Sequence, residues 1–179
     1  MNRLQALDTQ DEIPASWQNT PIGRLIEYHN LEHPPEPYTQ AQLLIGMCMD
    51  NRKYLRIPEN FAYIIRAGGA NLRYSEFKVS YAIAVGGVRA LALIGHTQCG
   101  MVNLISRQEQ FVQGLVDVGW ERDWAEQHFQ YFAPMFEIGN EIDFILSETK
   151  RLRWRYPKCL VASLLYRVED NRLYGIRET

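Results

Sequence analysis

Two cysteines and a histidine stand where a soft metal ion could use them. Cys48 lies near the end of the apolar run QLLIGMCM, and His96 and Cys99 are three residues apart in GHTQCG. Zinc favours thiolate and imidazole, and a catalytic zinc site takes three protein ligands and leaves a fourth position for water. The His-x-x-Cys spacing can close on one ion from a tight turn or a first helical turn, with Cys48 as the third ligand. A zinc finger does not fit, because it needs two close-spaced ligand pairs. Each residue taken singly also has an ordinary reading: a lone cysteine in an apolar strand is more often core than ligand. The remaining cysteine, Cys159, opens an apolar run and reads as core. An odd, sparse set of 3 cysteines argues for reduced thiols rather than a disulfide framework.

Such distant residues need a fold that gathers them. QLLIGMCM (42–49) and FAYIIRAG (61–68) are continuous apolar runs, as expected for strands buried on both faces. ALALIG (90–95) is a third strand, stopped by His96, and CLVASLLYRVED (159–170) a fourth, turning at Asp170-Asn171 into the short return NRLYGI. Between them, Ser75 caps a helix over EFKVSYAIAV that Gly86-Gly87 ends. Residues 101–115 and much of 121–155 read as further helices, with Pro134 starting or breaking one. The expected fold is α/β: a mostly parallel central sheet of order 2-1-3-4 with a short antiparallel edge strand, flanked by helices. With the second strand on the far side of the first, strands one and three meet at a switch point. Open α/β sheets bind ligands there, outside the carboxyl ends of the strands. Cys48 and Asp50 sit at the end of strand one, and His96 and Cys99 just beyond strand three. Ahead of this body, residues 1–39 form an arm with a short helix at 21–30 and the extended HPPEPYTQ; residues 40–179 form a single domain.

Composition excludes several classes. The chain of 179 residues suits one compact domain, and a net charge of −2 gives no attraction to nucleic acid or an anionic membrane. Its N-terminus lacks an apolar secretory segment and its apolar runs are too short to span a bilayer, so a cytoplasmic protein is expected. The basic stretch Arg151–Arg155 reads as a helix C-terminus, where cations complement the helix dipole. Trp120, Trp124, Phe129, Tyr131 and Phe132 mark an aromatic helical region that exceeds what a core needs and suits a subunit contact.

The segments Cys48-Met49-Asp50-Asn51-Arg52 and Gly95-His96-Thr97-Gln98-Cys99-Gly100, taken together, resemble the β-class carbonic anhydrases, with their Cys-x-Asp-x-Arg and Gly-His-x-x-Cys-Gly signatures. The likeness runs from about 40 to 176. It implies Cys48, His96 and Cys99 as ligands of a Zn2+ ion, and Asp50 and Arg52 as a catalytic dyad paired across alternate positions of the strand end. It also implies reversible hydration of carbon dioxide to bicarbonate by a zinc-bound hydroxide. Asp50 would orient the hydroxide, Arg52 would keep Asp50 ionised, and the N–H of Gly100, at the start of the next helix, would hold the substrate oxygens. In a competing state Asp50 itself fills the fourth zinc position. The resemblance further implies a homodimer or dimer-based oligomer, with the arm on a partner subunit. Asn51 stands where the family usually has serine, and Arg66–Asn71 departs from its usual Arg-Asn-Ala-Gly-Asn. These departures leave room for two other readings: a carbonyl sulfide or carbon disulfide hydrolase, or an inactive zinc-stabilised scaffold. His29, His33 and His128 receive no role.

Overall fold

The computed structural model describes residues 3–178; Met1, Asn2 and Thr179, at the outer ends of the expected arm and domain, lie outside the described residues. Eleven elements follow one another: β1 (Leu4–Gln5), α1 (Pro21–His29), β2 (Leu43–Met47), β3 (Ala62–Arg66), α2 (Glu76–Ala84), β4 (Ala90–His96), α3 (Gln108–Asp117), α4 (Arg122–Phe136), α5 (Glu141–Arg155), β5 (Leu160–Arg167) and β6 (Arg172–Ile176). One six-stranded sheet carries the order β1-β6-β5-β4-β2-β3. Its centre is parallel, with β2 between β3 and β4 and with β5 beyond β4, and β6 returns antiparallel on β5. The expected order of the four long strands is therefore present. The difference lies at the edge, where β1 pairs Leu4 with Ile176 and takes the outermost place from β6.

Side chains alternate across the sheet with period two. Leu43, Ile45, Met47, Ala92 and Ile94 face Ile22, Leu25 and Ile26 of α1. Leu44, Leu91 and Leu93 face Val79 of α2 and Ile145 and Leu152 of α5. Full burial of each Leu or Ile contributes roughly 1.5–3 kcal/mol, so helices on both faces are what make strands this apolar tolerable. In α1, Thr20 accepts the N–H groups of Ile22 and Gly23, and Pro21 occupies the first helical turn. Leu7, Ile13 and α1 of the N-terminal arm are thus part of the same chain's core.

Three local expectations change. The run 61–68 is not buried on both faces: β3 is the opposite edge strand, and Tyr63 and Ile64 are exposed. No α-helix begins at 101, because Asn103 adopts left-handed backbone (φ 54) and a 3-10 turn follows, so α3 starts only at Gln108. Ser75 stands at the N-cap of α2 without donating or accepting a side-chain cap bond. Pro134 falls in the last turn of α4, where its missing N–H costs the bond to the Gln130 carbonyl, and the helix ends two residues later. Asn171, at φ 58, makes the tight turn between β5 and β6. Among the described residues no helix is long and apolar enough to cross a membrane.

Candidate metal centre

The chain leaves β2 towards β3 on one side and comes back to β4 on the other, so the β2–β4 boundary is a switch point. Met47 pairs with Ile94, which puts the carboxyl ends of both strands together. Cys48 directly follows β2, His96 is the last residue of β4, and Cys99 lies in the turn beyond it. Their donor atoms all lie within 4.8 Å of one another, and all three residues are buried. The two sulfurs are 4.0 Å apart, close to the ~3.8 Å that tetrahedral zinc–sulfur bonds of about 2.3 Å require.

The imidazole is oriented for the same purpose. His96 Nδ1 lies 2.9 Å from the Thr97 carbonyl, so it must carry the proton and donate. The lone pair therefore sits on Nε2, which is buried with no hydrogen-bond partner. An orphaned buried acceptor beside two thiols is the polar arrangement that a soft cation satisfies and that nothing else here does. Hydrogen bonding with Cys99 pulls the Cys48 thiol down to about 3. The same bond, with burial, pushes the Cys99 thiol up. Two thiolates this close repel unless a cation lies between them.

Backbone groups fix the ligands. Gly69 donates its N–H to Cys48 Sγ at 3.3 Å. Its φ of 62 is left-handed, and a Cβ there would come within 3.2 Å of Ile138, so glycine is required. The N–H of Cys99 donates to Glu141 Oε1, in the first turn of α5, at 3.1 Å.

Asp50 and Arg52 do pair, but not by strand alternation, since β2 ends at Met47. The chain turns, the Arg52 N–H caps Asp50 Oδ1 at 2.9 Å, and the guanidinium forks onto both oxygens through Nε (3.1 Å to Oδ1) and Nη2 (2.7 Å to Oδ2). Arg52 Nη2 also donates to the Gln98 carbonyl at 3.0 Å, tying the two ligand loops together. These bonds hold the Asp50 carboxyl well below the usual carboxylate range. Its Oδ2 faces His96 Nε2 at 4.0 Å. Gly100 follows Cys99 in a turn rather than in a helix, so its N–H gains nothing from a helix dipole.

Sequence reasoning missed Gly69, Gln98, Glu141 and Lys53. The Lys53 side chain is fully buried, which composition alone would not suggest for a lysine. Beside the centre, Met49, Gly68, Met101, Phe129, Phe132 and Phe136 line a cavity of about 470 Å³ that His128 also borders. Cys159 is half-buried against the α2–α5 side of the sheet.

No family model matches the chain, and no curated protein matches it in sequence. Solved structures do match in shape. A carbonic anhydrase from Glaciozyma antarctica superimposes with a TM-score of 0.61 at 24% identity, over 79% of this chain and 85% of that one. The β-carbonic anhydrase isoform I of Trichomonas vaginalis gives 0.63 at 17% identity, over 83% and 91%. A carbon disulfide hydrolase gives 0.58 at 17% identity, over 83% of each chain. The chain has the β-carbonic anhydrase fold, with a Cys-His-Cys group suited to a metal ion.

Proposed function

We propose that this protein is a zinc-dependent carbonic anhydrase that interconverts carbon dioxide and bicarbonate. The observation that carries the reading is the convergence of Cys48, His96 and Cys99 donor atoms within 4.8 Å, with the orphaned His96 Nε2 among them. A zinc ion held there would supply Lewis acidity that lowers the pKa of water to near neutrality. The chain's own groups do the rest. Asp50 Oδ2, on the side facing His96 Nε2, accepts a hydrogen bond from the attacking water and aims its lone pair at the carbon of CO2. Arg52 keeps that carboxylate charged and aligned through its fork. Gly100 N–H would donate to the oxygen on which charge develops. One proton leaves to solvent and bicarbonate is released. Stopped-flow CO2 hydration with metal analysis tests this: one zinc per chain, activity in wild type, and a loss of about 10²-fold or more in Asp50→Ala. One zinc per chain with inactive wild type would overturn it.

The cavity of about 470 Å³ favours a second reading, because its wall is almost wholly apolar. Carbonyl sulfide and carbon disulfide are linear like CO2 and more apolar, and such a wall partitions them from water better. Parallel assays with the three gases rank them; faster turnover of carbon disulfide than of CO2 would select this reading.

The chain is further proposed to work as a homodimer or dimer-based oligomer in the cytoplasm, with the exposed stretch 32–37 of the arm reaching the partner. Support comes from the open β3 edge and its neighbours Tyr63, Ile64, Phe77 and Tyr81, all exposed, which together form an apolar face. The free thiols suit a reducing compartment. Sedimentation equilibrium with Phe77→Glu, expected to lower the mass towards one chain, tests the association.

A further inference from the structure

Among the described residues Lys53 is the one lysine whose side chain is fully buried, and it follows the turn that carries Asp50. Its Nζ donates to the Asp50 carbonyl at 3.0 Å and lies 3.8 Å from Asp50 Oδ1. The neighbouring positions behave as a surface loop: Asn51, Arg52 and Tyr54 are all exposed. Only Lys53 and then Leu55 turn inward. A buried ammonium costs several kcal/mol unless its surroundings answer it, and a methionine would fill similar space without that cost. The fold therefore bears a penalty here that packing does not explain.

The distribution of contacts on Asp50 shows what the charge does. Oδ1 is held by the Arg52 N–H and Nε and faces Lys53, whose ammonium also feels the Cys48 thiol. Oδ2 accepts from Arg52 Nη2 and faces His96 Nε2 at 4.0 Å. Resting on the metal centre proposed above, charges can be counted: two thiolates, Asp50, Glu141 on the Cys99 N–H, a divalent ion, Arg52 and Arg66 on the Cys48 carbonyl sum to zero, and Lys53 makes the centre positive. A cation behind Oδ1 opposes any swing of the carboxylate onto the metal, and a positive centre attracts an anion to the position so left open.

We propose that Lys53 is a positioning residue that holds Asp50 on the Arg52 fork, clear of the metal, and so leaves the fourth coordination position to water or a small anion.

Cobalt(II)-loaded protein tests this without reference to turnover, with azide as the titrated anion and the visible cobalt bands as the signal. Wild type should bind one cobalt and respond to azide. Lys53→Met should bind one cobalt with altered bands and an azide Kd raised about tenfold or more. In an Asp50→Ala background the same substitution should change that Kd less than about twofold, because the lysine acts through the carboxylate. Lys53→Gln, which keeps a donor for the carbonyl but removes the charge, should behave as Lys53→Met and is read in its place if the latter does not fold. Unchanged azide affinity in the Lys53 variants overturns the proposal, as does an undiminished effect in the Asp50→Ala background. Failure of wild type to bind cobalt overturns the metal centre itself, a separate result.

Discussion

Two clusters of charged and polar groups, each built partly on α5, are finished in opposite ways. Between α2 and α5, Glu148 is fully buried and accepts from Arg151 at 2.7 and 3.0 Å and from Arg73 at 3.3 Å. Glu76 completes that cluster with Arg151 at 2.6 Å, Arg155 at 3.1 Å and the Tyr156 hydroxyl at 3.0 Å. Each carboxylate there meets a guanidinium within the chain. At the carboxyl end of β2 and β4 the cluster stays open: two sulfurs 4.0 Å apart and a histidine nitrogen without a partner. Buried polar groups normally find partners, so the closed cluster is a brace for two helices, whereas the open one calls for a cation from outside.

That contrast breaks first at the ligands. His96→Ala and Cys99→Ala should each weaken zinc binding by more than about 100-fold, beyond the 10–100-fold typical for groups behind the ligands. Competition with a chromophoric chelator measures it, and near-wild-type affinity in either variant would remove the residue from the centre. Next comes the brace. Arg151→Ala leaves Glu148 buried with only Arg73 beside it, and should cost about 3 kcal/mol of stability in urea unfolding while zinc stoichiometry stays at wild type. A loss of zinc without a loss of stability would invert the comparison. At the exposed rim of the same cluster, Arg155→Ala should cost under about 1 kcal/mol, since surface pairs contribute little.

How much of this was legible beforehand follows from what each feature depends on. The Cys-His-Cys cluster could be read because a metal would demand particular atoms, and the switch point followed from the alternation of strands and helices. The strand β1 could not, because two residues carry no periodicity and pair only with Ile176 and Gly175 at the far end of the chain. Likewise, the apolar composition of 61–68 reads as interior, yet edge position is decided by what fails to pack beside β3. Asp50 and Arg52 were found for a reason the backbone does not use, since a turn rather than a strand brings them together. Lys53 was invisible for the opposite cause: residue type argues for the surface, and only tertiary context buries it.

His29 sharpens the comparison from the other side, because its Nε2 is also buried and unbonded, yet among the described residues it belongs to no cluster of three metal-ligating groups. Its Nδ1 accepts the Arg56 N–H at 3.1 Å, which fixes the proton on Nε2. Burial lowers its pKa to about 4; the Asn171 carbonyl opposes this, and the positive charges of Arg56 and Arg172 add to it. An unfolded histidine titrates near 6.5, so between pH 6.5 and about 4 the unfolded chain binds a proton that the folded chain refuses. Stability contributed by His29 is therefore full above pH 6.5 and falls as the pH drops through that window. From pH 7.5 to 5.5 the loss should be about 1 kcal/mol. His29→Asn, whose amide oxygen can still accept the Arg56 N–H, should lose that much less over the same interval in urea unfolding, and its zinc affinity should not change. Equal pH dependence in the two proteins would mean that His29 takes up its proton alike in the folded and unfolded chain, and a drop in zinc affinity would mean that His29 supports the metal centre from a distance.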